Sequence, residues 1–287
     1  MDDQARAWGN GLMGVIIFAG SLPATRVAVA QFDPLFLTGA RACIAAVLAA
    51  LLLLTLRAPR PGRADLLPLA VTSLGVVVGF PLFTALALQH VSSAHSIVFV
   101  GLLPLCTALF GVLRAGERPR PVFWLFATLG SACVVVYALG GGLRSAPAGN
   151  LYMVLAVLVC GLAYAEGGRL ARRLGGWQVI CWALVLAAPL MALLTAARWP
   201  ASLATVTGPA WLGLAYVSLF SMLIGFVFWY RGLALGGIAA VGQLQLLQPF
   251  FGLGLAALLL HETVSGAMLA ATIGAVACVA GARRYAT

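Results

Sequence analysis

The sequence predicts an all-α polytopic membrane protein, and three observations carry this prediction. Hydrophobic residues make up 63% of the 287 residues and charged residues only 8%, against about 25% charged in a soluble domain. The hydrophobic residues fall into nearly uncharged runs of roughly 20, the length of a helix that crosses a bilayer. The short alternation of apolar and polar residues that is typical of membrane β-strands does not occur.

Ten such spans follow one another, separated by short clusters of glycine, proline or arginine. They cover residues 9–30, 34–56, 66–88, 92–114, 121–140, 150–170, 177–197, 210–231, 238–260 and 265–283. The first is interpreted as a helix rather than a cleaved leader, because its motif Gly9-Asn10-x-x-Met13 recurs in the sixth span. The segment GGGLRSAPAG at 140–149 is interpreted as a linker, which divides the chain into five-span halves at 1–143 and 144–287.

The two halves share one motif near their ends. In the first half Pro104 is followed thirteen residues later by Glu117, and in the second half Pro249 is followed thirteen residues later by Glu262. In both copies the next span contains Ala-Thr, one aliphatic residue and Gly. This pattern predicts an internal duplication of a five-helix unit.

Arginine positions predict the orientation, because short cytoplasmic loops carry an excess of basic residues. The face bearing the N-terminus holds Arg6, Arg57, Arg60, Arg63, Arg114, Arg118, Arg120, Arg169, Arg172, Arg173, Arg231, Arg283 and Arg284. The opposite face holds Arg26, Arg144 and Arg198. Both termini are therefore predicted to be cytoplasmic. Since each half has five spans, the second half enters the membrane upside down relative to the first, as in many secondary transporters.

Two five-span halves, each ending in this proline–glutamate motif and a glycine-bearing helix, resemble the ten-helix branch of the drug/metabolite transporter superfamily, with paired EamA-type domains. Pro34 followed by Arg41 in the second span is also typical of those domains. The resemblance covers essentially the whole chain. It implies an exporter of small metabolites in a bacterial inner membrane, and amino-acid exporters, including those for aromatic amino acids, are the most similar group. It assigns no substrate residue, so the site is argued from this chain.

The duplicated prolines are interpreted as hinge or gating residues. Pro104 and Pro249 lack the N–H that would bond to the carbonyls of Val100 and Gln245, and this favours kinks. Freed carbonyls are tolerated where they line a cavity. A static kink that improves packing is the alternative.

Polar side chains within spans are costly in hydrocarbon and usually face the bundle interior. Gln245 and Gln248 share a face of the ninth span, and each offers a donor and an acceptor to an amino acid. Phe18 and Ser21 in the first span and Tyr164 in the sixth are further candidates, with the rings forming an apolar wall. Helix–helix hydrogen bonding for the glutamines and ordinary core packing for the rings are the alternatives.

His95 and Phe99 share a face of the fourth span, towards its outer end. They complete the predicted substrate-binding set, with a structural histidine as the alternative. The set predicts a central cavity lined by parts of spans 1, 3, 4, 6, 8 and 9.

Three further residues are interpreted as structural polar groups. Glu117 and Glu262 follow helix ends, where a carboxylate suits the N-terminus of the next helix. Arg41 lies a third of the way into its span, so it needs a partner, either a freed carbonyl or a substrate carboxylate.

No carboxylate lies near the middle of any span. We therefore expect facilitated transport or exchange of amino acids, and the alternative is proton-coupled export of cationic drugs. An intramembrane enzyme is disfavoured because His261-Glu262 is followed by Ser265 rather than the second histidine of an H-E-x-x-H zinc motif. A channel is disfavoured because the chain contains no carbonyl filter or charged ring. We expect no cofactor, metal or nucleic-acid partner, and a monomer surrounded by lipid.

Overall fold

The computed structural model describes residues 3–137, 146–261, 263–283 and 285, and these form helices and no strand. In chain order the helices are α1 Asp3–Val29, α2 Pro34–Thr55, α3 Arg63–Ala87, α4 Ser93–Ala115, α5 Pro121–Tyr137, α6 Pro147–Leu174, α7 Gly176–Ala197, α8 Gly208–Gly236, α9 Ile238–Leu260 and α10 Gly266–Arg283. Most of the predicted linker lies outside the described residues.

Eight of these helices, all except α5 and α10, are long and apolar enough to cross a bilayer. The other two are shorter apolar helices. The prediction of an all-helical, multi-pass membrane protein is therefore confirmed. Membrane crossing by α5 and α10, and with it the count of ten spans, stays a prediction.

Several helices continue beyond the apolar runs that predicted them. α3 begins at Arg63 rather than at residue 66, and α6 runs on to Leu174 rather than ending at residue 170. α8 likewise continues to Gly236, past Arg231. Hydropathy marks only the part of a helix that suits hydrocarbon, whereas backbone hydrogen bonding continues through the charged turns beyond it.

Three helices are interrupted close to prolines. α4 consists of Ser93–Val100 and Leu103–Ala115, joined by one turn, and Pro104 lies at the start of the second piece. In α9 the segment Gln243–Leu247 is a tight 3₁₀ turn placed immediately before Gln248-Pro249. α1 is interrupted at Gly20, three residues before Pro23.

Two π-helical segments occur at equivalent places in the two halves. Ser73–Gly79 lies in the middle of α3 and Val217–Ile224 in the middle of α8, separated by 217 − 73 = 144 residues. Each widens its helix by one residue, because a backbone N–H bonds five residues back instead of four. Periodicity in the sequence did not predict these segments.

Helices that correspond in the two halves run antiparallel. Gly252 of α9 lies against Ile97 near the start of α4, whereas Ile238 at the start of α9 lies against Gly111 near the end of α4. The later residues of one helix therefore meet the earlier residues of its counterpart. The interrupted part of α9 lies against the second piece of α4.

Along the rest of the bundle, helices of one half pack on helices of the other half. α1 packs on α8, and α3 packs on α6, while α2 packs on α7 and α5 on α10. One continuous hydrophobic core joins residues from both halves. The centre of the molecule is therefore an interface between the halves.

Candidate functional site

A small internal cavity is bounded on one side by aromatic rings from three helices. The ring centroids of Phe18 (α1) and Phe226 (α8) are 4.9 Å apart, and those of Tyr164 (α6) and Phe226 are 6.0 Å apart. The Phe18 and Tyr164 rings stack at 6.5 Å. Trp229 packs behind Phe18 and Tyr164. This aromatic wall suits an apolar side chain.

Both halves contribute to the cavity. Its lining residues are Phe18, Ser21, Leu22, Arg41, Val76, Phe80, Pro81, Leu103, Tyr164, Ser221, Phe226 and Gln248. They come from the six helices expected from the sequence and from α2. The space that the centre of a water molecule can occupy is only about 20 Å³, room for about one water molecule. The cavity is closed in this conformation.

The interruption of α1 places backbone carbonyls beside the cavity. Pro23 has no N–H to donate to the helix, so the turn before it loses a hydrogen bond. The carbonyl of Ile17 accepts from the Tyr216 hydroxyl at 2.7 Å, and that of Phe18 faces Gln248 Nε2 at 3.4 Å. Side chains of α8 and α9 thus hydrogen-bond to the backbone of α1 just before its interruption at Gly20.

The polar side of the cavity is formed by two serines and one arginine. Ser21 Oγ and Ser221 Oγ are 2.7 Å apart and share a hydrogen bond. Arg41 Nη2 donates to Ser221 Oγ at 3.3 Å and to the carbonyl of Val217 at 3.2 Å. All three side chains are buried. This polar side and the aromatic wall border the same closed space.

The two candidate glutamines occupy different environments. Gln248 lines the cavity, and its Oε1 has no hydrogen-bond partner. Gln245 is fully buried one turn earlier and does not belong to the lining. Its amide faces the Tyr164 hydroxyl, but neither of its polar atoms makes a hydrogen bond of normal geometry. Both buried amides therefore keep unused hydrogen-bonding capacity, Gln248 at the cavity and Gln245 one turn away from it.

His95 and Phe99 lie outside the cavity lining. His95 Nε2 is 2.6 Å from Asn150 Oδ1, so this pair joins the start of α4 to the start of α6. The rings of His95 and Phe99 are 5.6 Å apart, and both are buried. The structure brings together Phe18, Ser21, Tyr164 and Gln248 at the cavity and places His95 and Phe99 at a separate contact between the halves.

The predicted hinge residues coincide with the interruptions of α4 and α9. Around Pro104 the N–H of Leu102 bonds to the carbonyl of Phe99, three residues back. Before Pro249 the N–H of Gln248 bonds to the carbonyl of Gln245, also three residues back. The turn before each proline is therefore tightened, and the carbonyl expected to be free at Gln245 is satisfied locally.

No metal or cofactor was expected. Within the described ranges no group of three or more His, Cys, Asp or Glu side chains is placed to hold a metal ion. The six cysteines are unbonded and lie in different helices.

The comparison with known families decides the class of this protein. A model described as the EamA-like transporter family matches residues 8–139 and again residues 147–283. The chain belongs to this family. The resemblance drawn from the proline–glutamate motif is confirmed, and the two matches correspond to two EamA-like repeats.

Relatives of this EamA-like transporter carry transporter names. The chain is 63% identical over 286 residues to the uncharacterized transporter YdeK of Bacillus subtilis (strain 168), covering 100% of both chains. It is 26% identical over 211 residues to the uncharacterized inner membrane transporter YedA of Escherichia coli (strain K12), covering 73% of this chain and 68% of the other. A solved crystal structure with 22% identity superposes with a TM-score of 0.72 over 96% of this chain and 97% of that chain, which shows a shared fold.

Sequence reasoning selected five of the twelve residues that line the transporter's cavity, and Ser221 and Phe226 are among those it did not select. Both lie on α8, where the π-helical segment changes the angular position of the residues that follow it. Ser221 is a polar residue in an apolar span, and this was the available signal. Phe226 is one of several aromatic residues between 226 and 230, and nothing in that run distinguishes the ring that faces the cavity.

Glu117, one of the predicted structural polar residues, has a different partner from the one expected. Glu117 accepts hydrogen bonds from the backbone N–H groups of Ile238 and Ala239 at 2.8 and 2.7 Å. It therefore caps α9 of the other half, rather than α5, the next helix in the chain. Arg172 donates to the same carboxylate at 3.1 Å. Glu262 lies outside the described residues.

Proposed function

We propose that this EamA-like transporter is a secondary transporter that exports small metabolites, above all amino acids with aromatic or other apolar side chains. The observation that carries the proposal is a cavity between the halves with an aromatic wall on one side and Ser21, Arg41 and Gln248 on the other. An amino acid presents an apolar side chain and a polar backbone end. The two sides of the cavity complement these two parts.

The proposed mechanism is alternating access. The closed cavity has room for about one water molecule, so any amino acid requires the helices around it to separate. Interrupted helices concentrate bending where backbone hydrogen bonds are already lost or tightened. The contact between α4 and α9, with Pro104 and Pro249 at the start of their second pieces, supports a rocking motion of the halves about this region.

The proposed topology is an inverted repeat with both termini in the cytoplasm of a bacterial inner membrane. The antiparallel packing of α4 on α9 supports the inversion, and the similarity to YedA, an inner membrane transporter, supports the location. Cysteines replacing Arg60 and Ser202 in a cysteine-free protein test the orientation in whole cells. An impermeant maleimide should label only the cysteine at 202. Labelling of the cysteine at 60 instead would reverse the orientation.

Facilitated transport or exchange is proposed over proton-coupled export of cations. The described acidic residues lie away from the cavity: Asp3, Asp33, Asp65, Glu117 and Glu166. Exporters that exchange protons for cations rely on a membrane-embedded carboxylate. The lining offers no carboxylate among the described residues, which supports a zwitterionic solute.

Counterflow in proteoliposomes tests the function. Vesicles loaded with an unlabelled amino acid should accumulate the same labelled amino acid transiently and saturably, as a carrier does and a channel does not. Phenylalanine and leucine are suitable first probes, with a cationic dye as the competing class. Accumulation of the dye alone would replace the proposal with the drug-exporter alternative, and cleavage of lipid or peptide would revive an enzyme.

An imposed pH gradient separates facilitated transport from proton coupling. We expect the rate of phenylalanine counterflow to be insensitive to the gradient, both in the wild-type protein and in His95→Ala. A rate that follows the gradient and loses this dependence in His95→Ala would overturn the facilitated mechanism. Asn150→Ala removes the partner of His95 without removing a titratable group and is the matched control.

A further inference from the structure

Arg41 carries a charge in the part of the protein where charge is most costly. It lies on α2, seven residues after Pro34, lines the central cavity and is only 5% exposed. A buried guanidinium is stabilised chiefly by a carboxylate or by a full set of hydrogen bonds. Arg41 has neither of these around it among the described residues.

The hydrogen bonds of Arg41 are few and long. Both recorded bonds come from Nη2, at 3.2 Å to the carbonyl of Val217 and at 3.3 Å to Ser221 Oγ. Nε is buried and has no partner. Charge-assisted hydrogen bonds normally span about 2.7–2.9 Å. The guanidinium therefore retains unused donor capacity next to the cavity.

The described carboxylates do not neutralise this charge. Asp33, the carboxylate on the same helix, accepts from the N–H groups of Leu35 and Phe36 and caps α2. The remaining described acidic side chains pair with other arginines. Within the described ranges no carboxylate oxygen lies within 4.0 Å of Arg41, the limit for an ion pair.

The corresponding helix of the second half has an uncharged residue at the matching distance from its start. Ala183 lies seven residues after Gly176, the first residue of α7, as Arg41 lies seven after Pro34. The carbonyl of Ala183 accepts from Ser73, the first residue of one π-helical segment. Arg41 donates to Val217, the first residue of the other segment. Each helix thus contacts a π-helical segment of the other half, α7 through the backbone carbonyl of Ala183 and α2 through the side chain of Arg41.

From these observations we propose that Arg41 binds the carboxylate of the exported solute, so that the cavity selects solutes that carry a carboxylate. The inference rests on the proposed function, because it names the group of the solute that the cavity recognises. A guanidinium presents paired N–H donors that match the two oxygens of a carboxylate. Ser21 and Ser221 stand beside it, and the unpartnered Oε1 of Gln248 is an acceptor for the solute's ammonium.

Four probes of similar shape test the assignment: phenylalanine, phenylalaninamide, 3-phenylpropionate and 2-phenylethylamine. Binding to purified protein is measured as the rise in Tm with probe concentration, and phenylalanine counterflow is measured in parallel. In the wild-type protein we expect the two carboxylates to bind at least about tenfold more tightly than the amide and the amine, the size expected for a charge-assisted contact. In Arg41→Gln the ratio of carboxylate affinity to amide or amine affinity should fall to about one.

Two further variants separate carboxylate recognition from a structural role. Arg41→Lys keeps the charge but loses the paired donors, so it should keep a preference for carboxylates with weaker binding. Arg26→Gln removes an arginine that donates to the carbonyl of Leu88 outside the cavity, and it should keep the full preference. If Arg41→Gln does not fold, the binding of the carboxylates by Arg41→Lys is compared with that by the wild-type protein. Equally tight binding by the two proteins would overturn the role of Arg41.

The outcomes for Arg41 and for the proposed function are distinct. Equal binding of acids and amides by the wild-type protein, or a preserved preference in Arg41→Gln, overturns the role of Arg41. So does the absence of stabilisation by both carboxylates at about 10 mM, well above the range of weak binding. Binding of 3-phenylpropionate through Arg41 without amino-acid counterflow leaves the role of Arg41 standing and overturns the proposed function.

Discussion

The hydroxyl oxygens of Ser21 and Ser221 lie 2.7 Å apart and join the two halves of the protein across its closed cavity. Ser21 follows the interruption of α1, and Ser221 lies within the π-helical segment of α8. Both positions are places where a regular helix is disturbed. The hydrogen bond therefore connects two of the irregular segments that border the cavity, and it must break when α1 and α8 separate.

Ser21→Ala should shift the protein towards open conformations. A net hydrogen bond contributes about 1 kcal/mol, so the ratio of open to closed molecules should rise roughly fivefold. A cysteine replacing Val76, which lines the cavity, reports opening through its rate of reaction with a soluble thiol reagent in a cysteine-free protein. Thr55→Ala changes an exposed hydroxyl that bonds within its own helix and should leave the rate unchanged. An unchanged rate in Ser21→Ala would show that this bond does not limit opening.

Glu117→Gln should destabilise the protein through α9 rather than through its own helix. The carboxylate satisfies two N–H groups at the first turn of α9, and loss of its charge removes the favourable interaction with the helix dipole. We expect the free energy of unfolding to fall by about 1–2 kcal/mol, which lowers the apparent Tm by a few degrees. Asp3→Asn alters an exposed ion pair with Arg6 and should have no measurable effect. Equal Tm values for Glu117→Gln and the wild-type protein would contradict this role.

Gly75→Ala should disturb the packing of α3 on α6. A Cβ at this position would lie 2.3 Å from Ala163 Cβ and 2.5 Å from the carbonyl oxygen of Val159, so the helices must move apart. Overpacking of this kind costs about 1–3 kcal/mol. Gly254→Ala is the control, because no neighbouring heavy atom lies within 4 Å of its added Cβ. The apparent Tm should fall in the first variant only; a fall in both would point to a general effect of losing glycine.

Gln248→Leu should reduce transport about tenfold while membrane abundance stays normal, since the substitution removes a buried acceptor that faces the cavity. Gln243→Leu, outside the cavity lining, is the control for transport.

Gln245→Leu should raise the Tm. The buried amide of Gln245 makes no hydrogen bond of normal geometry in the closed structure, so an apolar side chain of similar size removes an unfavourable group. A role in binding helices together predicts the opposite, a lower Tm. Normal transport by Gln248→Leu would remove Gln248 from the proposed site.

Features that depend on one helix alone could be predicted from the sequence. Hydropathy located the helices, because each span must satisfy its own backbone in hydrocarbon whatever its neighbours are. The interruptions of α4 and α9 followed from Pro104 and Pro249, because a proline acts on the turn that precedes it. The family followed from the same prolines with their glutamates. Phe18, Ser21, Tyr164 and Gln248 were selected because polar and aromatic residues on one helical face indicate a buried surface.

Features that depend on how helices cross were decided only by the tertiary structure. The periodicity of the sequence did not indicate the π-helical segment that holds Ser221, whose hydroxyl meets that of Ser21 in the other half. Glu117 caps α9 because the end of α4 meets the start of its antiparallel counterpart, whereas chain order pointed to α5. Gln245 and Gln248 look alike on a helical wheel, yet one is enclosed behind Tyr164 and the other reaches the cavity. The sequence determined the helices and their class, because backbone hydrogen bonding and hydropathy are local. The site required the structure, because its contacts join residues up to 230 positions apart.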